Sequence, residues 1–185
     1  MAITSYRIEE EVLTPKGAIS IDYKGKNPFR LYHVLPAMLQ SIFKGRGKNI
    51  FERSFKWDIT SDPIEFSFEV WFQDWKFDSR TRPRIRVRVH GQQPSDLEKP
   101  NGIVKIEIKV LMATTYEFHN VFEKAIAMPF IWLYHRLIYN DVRRRYMQIL
   151  KERTFQLESE IRKLYGMPFE KEDLSGGPPR LYQSI

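Results

Sequence analysis

The chain contains no cysteine. That single absence removes disulfides, thiolate zinc sites, iron–sulfur clusters and cysteine nucleophiles together. A long hydrophobic run is also missing. The most apolar stretch, residues 125–134, contains Pro129 and is closed by His135 and Arg136, well short of the roughly 20 residues a transmembrane helix needs. Residues 1–11 are polar and alternating rather than built like a secretory leader, so a cytoplasmic protein without a transmembrane segment is expected. Catalytic signatures are scarce as well. His33, His90, His119 and His135 show no H-E-x-x-H pattern and no repeated ligand spacing. Nothing resembles a G-x-S-x-G nucleophile elbow. No metal site, cofactor or catalytic residue is therefore assigned, and an enzyme is the least favoured class.

What is present describes an ordinary globular chain. Its 185 residues are 42% hydrophobic and 29% charged, enough to bury a core and too apolar for wholesale disorder. Residues 1–166 are expected to form one α+β domain, followed by an extended polar tail, residues 167–185, with Gly176-Gly177-Pro178-Pro179. Aromatic residues make up 14%, which suggests thick packing layers or a roomy apolar interior. The formal charge is +7, with an isoelectric point near 9.5. Such a balance suits an anionic partner, though it also serves solubility alone.

Tyr6, Ile8 and Val12 alternate with charged residues, and so do Ile19, Ile21 and Tyr23 beyond the turn at Thr14-Pro15-Lys16-Gly17. The two runs predict an N-terminal hairpin. Asn27-Pro28 has the form of a helix start, and Leu31, Leu35, Met38, Leu39 and Ile42 follow at helical spacing. Pro36 interrupts them, so a kinked helical segment or two short helices are expected. Four alternating runs come next. Phe51, Phe55, Trp57 and Ile59 share one face of the first. Phe66, Phe68, Val70 and Phe72 share a face of the second, Ile85, Val87 and Val89 of the third, and Val104, Ile106, Ile108 and Val110 of the fourth. Their short connections predict an antiparallel meander with one buried face.

From Asn120, with Glu123 three residues on, the period becomes helical. Pro129 should bend or break this helix. Beyond it an apolar stripe that includes Leu133, Leu137, Ile138, Val142 and Leu157 runs to Gly166. About 35 residues make a rod of roughly 50 Å, longer than a small sheet needs for cover. Its far end is expected to meet another copy or a partner. The exposed sides are basic: Arg136, Arg143, Arg144 and Lys151 lead into Arg153, Arg162 and Lys163, and Arg180 lies in the tail. These eight are the candidate partner-binding residues.

Three smaller constellations have both a functional and a bland reading. Arg84, Arg86 and Arg88 invite phosphate binding, but Glu65, Glu69 and Glu107 on neighbouring strands explain them as a cross-strand ladder. Lys44, Arg46 and Lys48 form a basic glycine loop able to touch phosphate, without the P-loop spacing. Asp74 and Asp78 are a carboxylate pair that packing and turn formation account for.

Strand, Pro36-broken helix, the Gly45-Arg46-Gly47 loop, antiparallel meander and long last helix together resemble the helix-grip fold of the START and Bet v 1-like superfamily over residues 3–165. The resemblance implies an apolar cavity between sheet and last helix for a small apolar ligand such as a lipid, hormone or polyketide. Trp57, Phe66, Phe68, Phe72, Phe130 and Trp132 would be its lining. It implies no catalytic residue.

The leading expectation is thus a non-enzymatic binding protein, a subunit of a larger assembly that uses its basic long helix and tail. RNA, a ribonucleoprotein or protein subunits would be the partners, a homo-oligomer included. The alternative is a START-like carrier or sensor of an apolar ligand.

Overall fold

The computed structural model describes residues 4–73, 75–96 and 101–168. Residues 169–185 of the tail, Arg180 among them, and Asp74 lie outside the described residues. The elements are β1 (Thr4–Glu11), β2 (Ile19–Gly25), α1 (Arg30–Phe43), β3 (Ile50–Asp58), β4 (Ile64–Phe72), β5 (Thr81–Gln93), β6 (Gly102–Phe118), α2 (Val121–Leu137) and α3 (Asn140–Leu164). The architecture is α+β: one antiparallel six-stranded sheet in the order β1-β6-β5-β4-β3, with β2 also paired to β6 and with α3 packed along the sheet.

The meander from β3 to β6 forms as the alternation requires. Phe66, Phe68, Val70 and Phe72 face inward beside Ile85, Val87 and Val89, and then Val104, Ile106, Ile108 and Val110. Leu31, Leu35, Leu39 and Phe43 of α1 close over them, with Leu150, Leu157 and Ile161 of α3. Each such side chain contributes roughly 1.5–3 kcal/mol by leaving water. Two glycines let the layers meet this closely. A Cβ at Gly45 would stand 2.1 Å from Cζ of Phe72, and one at Gly91 would stand 2.4 Å from Cζ of Phe66.

The N-terminal runs do not pair with each other as a hairpin. Both pair with β6: Thr4 to Glu11 lie opposite Phe118 to Leu111, and Ile19 to Gly25 opposite Ile108 to Gly102. They are two segments of one edge line, parted by a loop at residues 12–18. The 17-residue β6 is long enough to take both, and a sequence-local turn cannot outbid that continuous template.

Phe51 does not share a face with Phe55 and Trp57. The register of β3 shifts between Glu52 and Ser54, so Phe51 stands opposite Trp71 while Phe55 and Trp57 stand opposite Phe68 and Phe66. One extra residue is all that such a flip needs.

The helices also differ from expectation in where they break. Pro36 lies inside one 14-residue helix, and Pro129 inside the 17-residue α2. Asn27 does not cap α1; it sits in the left-handed region at φ 45°, and α1 starts at Arg30. The interruption in the C-terminal run falls at Ile138 and Tyr139 instead. Tyr139 is drawn into the body there: its hydroxyl donates to Asp78 Oδ2 at 2.6 Å and lies 2.5 Å from Thr81 Oγ1. Tertiary anchoring of one tyrosine, with no glycine or proline nearby, divides the long run into α2 and α3.

At its other end α3 is fastened by Tyr165, whose hydroxyl donates to the Pro28 carbonyl at 2.6 Å and whose ring packs on Tyr23 with centroids 4.2 Å apart. The full length of α3 is thereby used against the sheet and α1. The element that overhangs is α2.

Candidate docking surface

Asn120 starts α2 as its spacing promised: its side chain accepts from the Glu123 backbone N–H at 2.7 Å, and Glu123 reaches back to the His119 N–H at 2.9 Å. The helix then packs on β1 and the end of β6 through a narrow face. Lys124, Ala127, Ile131 and His135, at helical spacing, are its half-buried or buried positions. Lys124 Nζ donates to the Ser5 carbonyl at 2.9 Å, and His135 Nδ1 lies 3.0 Å from the Tyr116 hydroxyl.

The opposite face is the unusual one. Phe122, Ile126, Phe130, Leu133 and Leu137 recur at intervals of four, four, three and four, which places them in one row. They are between 49% and 76% exposed. Trp132, Tyr134 and Ile138 extend the apolar surface beside them, also exposed. A helix of 17 residues spans about 25 Å. Five large side chains along it present an apolar strip on the order of 500 Å². A helix apolar on every side normally lies buried, yet among the described residues nothing covers this row.

A buried polar network fixes how α2 leaves the body. Thr81, Thr114, Tyr116, His135 and Tyr139 are all less than 9% exposed. Asp78 accepts from the backbone N–H groups of Arg80 at 2.8 Å and Thr81 at 2.6 Å in addition to Tyr139. Burial by itself would raise the Asp78 pKa, but these donors outweigh it and hold the group below the ordinary aspartate value. Burial, reinforced by the Asp78 hydrogen bond, pushes the Tyr139 phenol far up, so it stays protonated. His135 is held below the usual histidine pKa, chiefly by burial, with Glu10 opposing the shift. At neutral pH the ring is therefore uncharged, and its 3.8 Å approach to Glu10 is no ion pair. Glu10 pairs instead with Arg143, which also donates to Asn140 Oδ1 at 2.7 Å. Among the described residues the His135 Nε2 and Arg143 Nε atoms have no hydrogen-bond partner. Apart from these two atoms the groups satisfy one another at the α2–α3 corner, and turn formation plus this anchoring accounts for Asp78.

The candidate residues of the sequence are spread widely. Phe66, Phe68 and Phe72 are in the core. Trp57 stands at the sheet edge, partly exposed, with its ring 4.5 Å from that of Phe29 and 6.0 Å from that of Phe66. Phe130 and Trp132 are on α2, whose neighbours are β1, β6 and α3. The six do not come together as one lining. Two open clefts take in two of the six separately. One, of about 370 Å³, is bordered by Lys56, Phe66, His90 and Gln92. The other, of about 230 Å³, is bordered by Phe29, His33, Trp57 and Ile64.

Several of the basic candidates are occupied within the chain. Besides Arg143, Arg162 pairs with Glu158 at 2.8 Å and Lys163 with Glu160 at 2.7 Å. Arg153 donates to the Phe43 carbonyl at 3.2 Å and lies over the Trp75 ring at 4.9 Å. Arg136 lies over Trp132 at 5.2 Å. Arg144 is exposed and Lys151 half-exposed. Lys44, Arg46 and Lys48 are exposed on the loop after α1. On the outer face of the sheet, Arg88 meets Glu69 at 3.0 Å and Glu107 at 4.0 Å, while Arg84 and Arg53 lie over Trp71. Among the described residues no group of three or more His, Asp or Glu side chains is placed to hold a metal ion. Nor is any described helix long and apolar enough to cross a membrane.

The row on α2 escaped the sequence because Leu133, Leu137 and Ile138 read equally well as core. The available signal was the lack of any polar face between Ala125 and Tyr134. A helix that covers a sheet needs a polar side for water.

No protein-family signature matches the chain, and no curated protein matches it in sequence. Among solved structures, a Staphylococcus aureus protein of unknown function, SA2116, aligns over 85% of this chain and 98% of its own, with 7% identity and a TM-score of 0.25. An uncharacterized Rhizobium leguminosarum protein aligns over 86% of this chain and 99% of its own, with 9% identity and a TM-score of 0.18. Likenesses this remote carry no argument about family or activity.

Proposed function

We propose that this chain is a non-enzymatic binding protein that joins a larger assembly through α2. The single observation that carries the reading is the outward row of Phe122, Ile126, Phe130, Leu133 and Leu137 on a helix already held by its other face. Contiguous apolar patches of this size mark interaction sites. The basic start of α3 supports the same reading, since Arg144 and Arg145, soon after α2 in the chain, are exposed. A patch of this composition favours an apolar partner surface with anionic margins over bare RNA, whose affinity is dominated by phosphate contacts.

The test is analytical ultracentrifugation of the full chain beside the double variant Ile126→Glu/Leu133→Glu, with and without detergent micelles. Wild type is expected to self-associate or bind micelles, and the variant to sediment as a bare monomer with an unchanged far-ultraviolet spectrum. A wild-type protein that stays monomeric at high concentration and ignores micelles overturns the proposal.

A further inference from the structure

The flanks of the row distinguish among its occupants. On the α2 wheel, Trp132 and Tyr134 fall on either side of the five-residue row, both exposed. These two side chain types carry an apolar body with a polar tip, and they are enriched where hydrocarbon meets water. Arg136 lies over Trp132 with its guanidinium carbon 5.2 Å from the ring centroid. Residues 120–146 hold five Lys or Arg against two acids, and Arg136, Arg144 and Arg145 are exposed.

A second copy is the first rival occupant. Pairing two α2 rows in parallel would bring Arg136, Arg144 and Arg145 of one copy towards the same residues of the other, and pairing them antiparallel still sets five Lys or Arg against two acids on each side. Two chains that each carry a formal charge of +7 would meet with like rims, an arrangement that specific interfaces avoid. An anionic surface removes the repulsion and gains from every one of those cations.

Length decides how such a surface is met. At about 25 Å the helix falls short of the roughly 30 Å hydrocarbon core of a bilayer. Its inward face is also committed, through Lys124 to Ser5 and through His135 to Tyr116. Spanning is therefore excluded, and lying flat is what the geometry allows. The protein body replaces the polar face that an isolated interfacial helix would carry. Only the outward half enters the headgroup zone, to a depth of about 5–10 Å.

We propose that the occupant of the α2 face is the interfacial zone of an anionic lipid bilayer, in which the row is immersed and the exposed arginines meet lipid phosphates. This occupant presupposes that α2 is a docking surface, as proposed above.

The experiment is co-sedimentation of the full chain with vesicles of phosphatidylcholine alone and with vesicles containing an equimolar share of phosphatidylglycerol, alongside a lipid-free sedimentation run. Partitioning is expected to be at least tenfold stronger on the anionic vesicles and to weaken in high salt. Ile126→Glu/Leu133→Glu is expected to abolish it. Arg144→Gln/Arg145→Gln, at exposed positions outside the core, is expected to lower partitioning about tenfold on anionic vesicles alone. Equal partitioning on both vesicles overturns the anionic bilayer as occupant. No partitioning with concentration-dependent dimers overturns the lipid occupant and leaves the docking face to a second copy. No partitioning and no self-association removes both proposals.

Discussion

Tyr139 shows how much one side chain decides. Its hydroxyl satisfies Asp78 and Thr81 at once, and its ring stacks near His135 and Tyr134. Replacing it with phenylalanine keeps the ring and removes the donor. Asp78 retains the Arg80 and Thr81 N–H groups, but Thr81, which is wholly buried, loses its closest partner. The expected cost of Tyr139→Phe is about 1–3 kcal/mol, read as a lower denaturation midpoint at unchanged slope. No loss would mean that water replaces the hydroxyl and that the corner is not set by this bond. Nothing in the sequence near Tyr139 announced this role, because Asp78 and Thr81 are about 60 positions away and burial is invisible in a string of residues. Asp78 itself was singled out there and read as a turn residue, without its distant partner.

At the scale of elements, the legible parts were those governed by short periods. Alternation placed four strands and the inward faces of β4, β5 and β6, and the Asn120-to-Glu123 spacing placed the start of α2. What failed was decided by partners far away. The pairing of β1 and β2 with β6 depends on the length of β6, and the face of Phe51 on a one-residue bulge. The contact of α2 with β1 is a further long-range feature, and its stability is expected to depend on pH. His135 faces Tyr116 from β6, Glu10 from β1, Tyr139 from the α2–α3 corner and Arg143 from α3. Its pKa is lower folded than the unfolded value of about 6.5. The unfolded chain therefore binds the proton more readily, so this contribution to stability is complete above about pH 6.5 and is lost as pH falls through that value. Thermal midpoints measured between about pH 7.5 and pH 5.5 should fall for wild type, and His135→Gln should flatten that decline. Asp78, whose pKa is also lowered, loses its contribution only in the more acidic carboxylate range, which keeps the two windows apart. An equal decline in the variant would assign the effect to other groups.

Across the whole molecule, apolar surface is of two kinds. One is spent inside, where β4, β5 and β6 face α1 and α3. The other, on α2, is held out to solvent by a body that gains nothing from it. Sequence periodicity cannot separate them, since Leu157 and Leu133 belong to the same stripe and differ only in what folds over them. Substitution can. Leu157 is fully buried, and Leu157→Ala is expected to cost about 2–5 kcal/mol through lost transfer energy and a residual cavity. Leu133 is 49% exposed, and Leu133→Ala, outside the core, should stay within about 0.5 kcal/mol of wild type. Equilibrium urea unfolding of the two single variants, without lipid, makes the comparison directly. Comparable losses at both sites would mean that α2 folds back onto the body in solution, and its row would then be core rather than a docking face. A loss at Leu157 alone leaves the row energetically idle in the monomer. An apolar row idle in the monomer gains its stabilisation from whatever covers it.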